Sequence, residues 1–254
     1  MPLNNGTLWI CLLLCMLKNK EVHMKWEKNI IDSFPWSKEI SRRDEKEKVA
    51  AKIAGMVKDG DVIGVGSGST SYLALLAIAQ RVKGEGLHIK AIPTSQEITM
   101  TCAQLGIPVT SLMEYQPDWA FDGADEVDPN HSLIKGRGGA MFKEKLLINS
   151  SPRNYILTDS SKMVSRLGMK FPVPVEVFPQ ALTYVGKALE ELSPREIKLR
   201  MAEGKDGPII TENGNLILDV WFDAIPDTTE TALKSITGVI ESGLFIGYQV
   251  NLIT

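Results

Sequence analysis

Val62-Ile63-Gly64-Val65-Gly66-Ser67-Gly68-Ser69-Thr70 decides the fold. A short uncharged run rich in β-branched residues reads as a buried strand, glycines at alternate positions make a turn, and the largely apolar Tyr72 to Val82 reads as a helix. Upstream, Asp44 to Val57 carries Val49, Ile53 and Val57 at helical spacing and stops at Lys58-Asp59-Gly60. Downstream the order repeats. Ile89-Lys90-Ala91-Ile92 ends at Pro93-Thr94-Ser95, a helix runs to Leu105, and Ile107-Pro108-Val109-Thr110 starts a further strand. The alternation predicts parallel βαβ units: an α/β fold with a Rossmann-like, mostly parallel sheet and helices on both faces.

Trp119-Ala120-Phe121 is the next strand, and it runs into Asp122-Gly123-Ala124-Asp125-Glu126-Val127-Asp128. Ligands of open α/β sheets sit beyond the carboxyl ends of the strands, so these acids stand at an address for chemistry. Met141 to Ile148 reads as a helix and Tyr155 to Asp159 as a strand. Pro172 and Pro174 then mark a change of character: a helix over Pro179 to Leu192, period-two alternation over Ile197 to Met201, and the turn Asn213-Gly214-Asn215 before Leu216 to Val220. These predict a small α+β domain over 169–240, inserted in a larger domain made of 29–168 and 241–254, to which the chain returns at Gly243 to Gly247.

The 254 residues are 44% hydrophobic and 23% charged, with net charge -3. That is globular composition, and without a basic stripe it excludes a nucleic-acid surface. Cys11, Cys15 and Cys102 form neither a disulfide framework nor a zinc site, and a reducing, cytoplasmic setting fits them. The apolar run Leu8 to Leu17 is too short to span a membrane and lacks a preceding basic residue and a small-x-small cleavage site. Residues 1–28 are read as a poorly ordered leader, with Met24 a plausible start.

Three clusters are candidates for chemistry. Ser67, Gly68, Ser69 and Thr70 offer backbone amides and hydroxyls at a helix start, which suits a phosphate, or equally a tight packing turn with a Ser/Thr cap. A dinucleotide is disfavoured: Ser69 replaces the third fingerprint glycine, Pro93-Thr94-Ser95 stands where an acid belongs, and no Gly-Lys-Ser/Thr follows. Asp122 and Asp125 are read as ligand-facing, whereas Glu126 and Asp128 are read as structural. A calcium loop counted from Asp122 fails at Ala124, Val127 and Leu133. Lys135-Gly136-Arg137-Gly138-Gly139 makes a second anion-binding turn. Glu144, one turn into the next helix, is a base or merely a partner for the helix dipole. His23, His88 and His131 make no metal pair. Carboxylate and lysine chemistry on a small anionic molecule remains.

Gly64 to Thr70, Ile92-Pro-Thr-Ser95, Ala120 to Asp128, Ile134-Lys-Gly-Arg-Gly-Gly-Ala140 with Glu144-Lys145, Pro174-Val-Glu-Val177, Thr211 to Asp219 and Gly243-Leu-Phe245 stand in one order. In that order and spacing the chain, from about residue 40 onward, resembles the type A ribose-5-phosphate isomerases. The resemblance implies interconversion of D-ribose 5-phosphate and D-ribulose 5-phosphate in the non-oxidative pentose phosphate pathway, without cofactor, by a homodimer or homotetramer. It implies Glu144 as base and Lys135 with the Gly136 to Gly139 amides facing the enediolate oxygen. Asp122 and Asp125 hold the sugar and assist ring opening. Phosphate falls to Ser67, Ser69 and Thr70, joined by Lys46 or Lys48, with Lys162 on the opposite wall and Thr94 and Ser95 as further candidates. Three departures stand out: Ser67 for the usual threonine, Arg137 within the glycine run, and Met141-Phe142-Lys143 before the glutamate. A sugar-phosphate sensor is the competing reading, and Glu144, which a sensor does not need, discriminates; a CoA-transferase-like enzyme requires a different glycine setting and a longer chain.

Overall fold

The computed structural model describes residues 30–34, 36 and 39–254; the expected leader, its apolar run, Cys11, Cys15 and His23 lie outside the described residues. Contacts group the chain into two units, Met1–Ser33 and Phe34–Thr254. In the first, Ile30–Ser33 is a 3-10 turn.

In the second unit, five parallel strands form the central sheet: β1 (Val62–Val65), β2 (Lys90–Pro93), β3 (Trp119–Gly123), β6 (Asn154–Leu157) and β12 (Asn251–Ile253), in the order β12-β6-β3-β1-β2. Strand alternation divides the side chains between two faces. Ile63, Val65, Trp119 and Phe121 share one apolar cluster with α1 (Arg43–Ala54), α2 (Ser69–Glu85) and α3 (Gln96–Leu105). On the other face Gly64 and Ala120 meet Leu147 of α4 (Met141–Ser150), so helices cover both faces as expected.

Strand β1 lies between β2 and β3, so the chain runs outward on one side and crosses back on the other. The topological switch point is the crevice between β1 and β3. The loops after β1, β2, β3 and β6 all leave the sheet at its carboxyl edge, carrying Gly66–Thr70, Thr94–Ser95, Asp122–Asp125 and Thr158–Lys162.

Strands β7 (Val173–Val177), β8 (Glu196–Leu199), β9 (Leu216–Trp221) and β10 (Val239–Ser242) make an antiparallel sheet in the order β10-β7-β9-β8. Helices α5 (Leu182–Glu190) and α6 (Thr229–Ser235) share its apolar core through Val185, Leu189 and Leu233. A third sheet joins β4 (Glu126–Val127), β5 (Leu133–Ile134) and β11 (Leu244–Phe245). At Gly243, between β10 and β11, the chain passes so close to Lys135 that a Cβ would lie 2.2 Å from Lys135 O. Lys135 N donates to Gly243 O at 2.9 Å, and Gly243 N donates to Pro174 O at 2.7 Å.

The expected strand at Ile107 to Thr110 is reduced to a single parallel bridge between Val109 and Ala91. Pro108 has no N–H, and Val109 is 42% exposed at the sheet edge, so only Pro108 O and Thr110 N engage the ladder.

Candidate active site

Asp122 is the last charged residue of β3, and its side chain turns into the space above Gly66, the first residue after β1. A Cβ at position 66 would lie 1.9 Å from Asp122 Cγ, so the glycine is what allows the carboxylate to enter the switch-point crevice. Lys135 follows β5, and its ammonium donates to Gly123 O and lies 2.9 Å from Asp122 Oδ2. Glu144 Oε2 is 3.4 Å from the same nitrogen.

Helix phase explains why the glutamate is inside. Met141, Glu144, Leu147 and Ile148 fall on one stripe of α4 and all are buried. A glutamate serving only the helix dipole would face water. Lys135, Asp122 and Glu144 are 3, 4 and 5% exposed, so three charged groups share one desolvated cluster. Glu144 Oε2 has no hydrogen-bond partner among the described residues, a costly state for a buried carboxylate oxygen and one suited to accepting a proton.

The electrostatics follow from this crowding. Burial pushes the Glu144 carboxyl up to about 8; the Asp122 charge adds to the shift and Lys135 opposes it. Burial also raises Asp122, against the pull of Lys135. For Lys135, burial acts downward, but Asp122 and Glu144 outweigh it and hold the ammonium charged. One cation cannot stabilise two buried anions equally. Asp122, which also accepts the Gly123 N–H at 2.7 Å, is the better-supported anion of the two, and Glu144 is the carboxyl more readily held protonated.

Asp125 is half-buried, and its Oδ2 accepts the Arg137 N–H at 3.2 Å, tying the acidic loop to the Lys135–Gly139 turn. Gly136 and Gly139 have positive φ, and Gly139 N closes the turn on Gly136 O at 3.0 Å. The two acids read as structural behave so. Glu126 is fully buried and accepts the amides of Gly168, Lys170 and Phe171, while Asp128 accepts those of Asn130 and Ser132.

At the first glycine loop, Gly68 caps α2 with φ 95° and no side-chain cap, so the helix N-terminus stays open to an anion. Thr70 stands in the first turn. Ser67 Oγ joins Thr94 Oγ1 and Ser95 Oγ, both at 2.9 Å. Lys46 is buried and donates to Ser69 Oγ at 3.0 Å, whereas Lys48 is exposed. Burial, then the nearby charge of Lys162, lowers the Lys46 amine. A buried lysine bonded to the first residue of an open helix N-terminus is a setting that favours an anion. The choice of Lys46 was readable from phase, since 46, 49, 50 and 53 form the buried stripe of α1.

Phe171 went unnoticed in the sequence: its ring centroid lies 5.4 Å from Arg137 Cζ and 5.7 Å from Lys162 Nζ, so one aromatic platform serves both turns. Lys145, next to Glu144, faces a separate ion-pair cluster with Glu230 at 2.6 Å and Glu241 at 2.9 Å. Among the described residues no helix is long and apolar enough to cross a membrane.

Comparison with known proteins matches residues 90–254 to the family model described as ribose 5-phosphate isomerase A (phosphoriboisomerase A). Ribose-5-phosphate isomerase A of Methanothermobacter thermautotrophicus is 44% identical over 80% of this chain and 89% of its own length. The solved structure of ribose 5-phosphate isomerase A from Methanocaldococcus jannaschii superposes with TM-score 0.80 at 42% identity, covering 84% of this chain and 96% of that one. A D-ribose-5-phosphate isomerase solved in complex with phospho-erythronic acid superposes with TM-score 0.78 at 39% identity, covering 83% and 95%.

Proposed function

The chain belongs to the ribose 5-phosphate isomerase A family, and on that premise we propose that Glu144 is the proton-transferring base, working beside Lys135 and Asp122. The protein is an aldose-ketose isomerase that interconverts D-ribose 5-phosphate and D-ribulose 5-phosphate. Its reaction moves a carbonyl from C1 to C2 of the open-chain sugar. A base takes the proton from C2, the electron pair forms the C1–C2 double bond of an enediolate, and negative charge gathers on O1. The proton on O2 is then given up as C2 becomes the carbonyl, O1 having been reprotonated, and a proton returned to C1 completes the ketose.

The observation that carries the proposal is the buried Glu144 carboxylate, whose Oε2 is 3.4 Å from a lysine that two carboxylates keep charged and accepts no well-aligned hydrogen bond. A carboxylate there both removes and returns the proton, and such positioned acid/base help contributes roughly 10²–10⁴-fold. Lys135 and the turn from Gly136 to Gly139, through the Gly138 amide that no acceptor within the described residues takes, face the developing oxyanion, where donors already in place act most strongly. Asp122 and Asp125 hold the sugar hydroxyls and assist opening of the furanose. Phosphate sits at Ser67, Gly68, Ser69 and Thr70, with Lys46 and Lys162 as its counter-charges. Because that group lies away from the reacting carbons, its binding energy serves orientation. The co-crystallised phospho-erythronic acid of the relative supports a phosphorylated sugar-acid shape for the site.

Assay of ribulose 5-phosphate formation after metal chelation, for wild type and Glu144→Gln, is the test. A glutamine variant near wild-type rate removes Glu144 from its role. The proposal extends to a cytoplasmic homodimer or homotetramer of the pentose phosphate pathway, to be checked by sedimentation and fractionation.

A further inference from the structure

Arg200, just beyond β8, is nowhere near the acidic loop in sequence, yet its side chain reaches the site turn. Its guanidinium is gripped by Asp219 of β9, Nε at 2.8 Å from Oδ2 and Nη2 bonded to Oδ1. The third nitrogen, Nη1, donates to two successive carbonyls of the turn, Gly136 O at 3.1 Å and Arg137 O at 2.9 Å. The Arg200 side chain is only 11% exposed.

The peptide plane turns this grip into a statement about amides. In a trans peptide the carbonyl and the following N–H point in opposite directions. Holding Gly136 O therefore aims the Arg137 N–H away from Arg200, and it is found on Asp125 Oδ2 at 3.2 Å. Holding Arg137 O aims the Gly138 N–H away likewise, and among the described residues that amide has no acceptor. The turn is also seated on β9, because a Cβ at Gly139 would lie 3.2 Å from Ile217 Cδ1.

We propose that Arg200, locked by Asp219, is a positioning residue that fixes the Gly138 N–H as a donor to the oxygen that becomes negative in the enediolate. This rests on the roles given above to Lys135 and Glu144. Arg200 touches no substrate; it acts through the two carbonyls. An amide aimed in advance costs no reorganisation during the reaction, and loss of one such donor lowers turnover by about 10²–10³-fold in acyl-transfer enzymes.

Arg200→Lys, Arg200→Ala and Asp219→Asn are compared with wild type for kcat, KM and inhibition by a phosphorylated carboxylate analogue whose planar anionic oxygens imitate the enediolate, with Glu144→Gln run alongside. Expected for Arg200→Lys is a fall in kcat of about 10²-fold with KM within a few-fold, and weaker inhibition by the analogue in similar proportion. Asp219→Asn follows in the same direction, and ethylguanidinium at low millimolar concentration partly restores Arg200→Ala. A purely structural role lowers melting temperature and active fraction but leaves the analogue's inhibition constant at the wild-type value. That result, or wild-type kcat in Arg200→Lys, overturns the proposal. An inactive Glu144→Gln beside a fully active Arg200→Lys sinks this inference alone, whereas an active Glu144→Gln sinks the reading beneath it.

Discussion

Gly66 and Asp122 occupy one space: the aspartate's Cβ and Cγ lie 2.4 Å and 1.9 Å from where a Cβ on residue 66 would stand. Because the clash reaches Asp122 Cβ, no rotamer relieves it, and β1 or β3 has to shift. Gly66→Ala is expected to lower stability by about 1–3 kcal/mol and to abolish most turnover by displacing Asp122. Gly84→Ala, in α2 with open space around it, is expected to stabilise by about 0.5–1 kcal/mol with activity unchanged. Urea midpoints and kcat for the pair check both.

The rate should titrate with Glu144. With the carboxyl at about 8 in the free protein, kcat/KM rises with pH and levels above that value. The Asp122 charge is one cause of the upward shift, so Asp122→Asn moves the rise to lower pH, whatever it does to the plateau. A profile that stays in place contradicts the coupling.

Stability should titrate in the opposite sense. Glu144 has a folded value raised to about 8 against an unfolded carboxyl near ~4.3, so its contribution is full below the unfolded value and lost as pH rises through the folded one. Glutamine does not titrate. The melting temperature of Glu144→Gln relative to wild type is therefore expected to increase from pH 5 to pH 9, and a difference independent of pH refutes the buried-charge account.

Lys46 and Lys48 separate cleanly. Lys46→Met is expected to raise KM for the sugar phosphate by about 10–100-fold, the range of a charge-assisted hydrogen bond, and to weaken competitive inhibition by inorganic phosphate. Lys48→Met, on the exposed side of the same helix, should leave both unchanged.

What the sequence made legible was local. Strand, glycine loop and helix at Val62–Val82 followed from period and turn chemistry, and the acids past Phe121 were placed by the strand that ends there. Legible too, though unused, was the phase of α1 and α4, which puts Lys46 and Glu144 on buried stripes. Arg200, Asp219 and Phe171 were hidden because their partners come from distant parts of the chain and their own spacing speaks only of a strand or a loop. The same holds for Glu176, whose buried carboxylate takes the Thr211 hydroxyl and the Asn215 amide; no periodicity announces a long-range network. Ile107 to Thr110 misled for the converse reason, its composition suiting a strand that Pro108 and an edge position curtail.

Lys135 is secured through its backbone by Gly243, a residue synthesised long after it. As the chain emerges from the ribosome, the acidic loop and the glycine turn are both present while the glycine that anchors the lysine is still missing, and β12 has yet to close the edge beside β6. The backbone anchor of the lysine therefore arrives late, by a contact of high sequence separation. A nascent or truncated chain stopping short of β11 holds most of the chemistry but lacks the backbone bond from Lys135 N to Gly243 O.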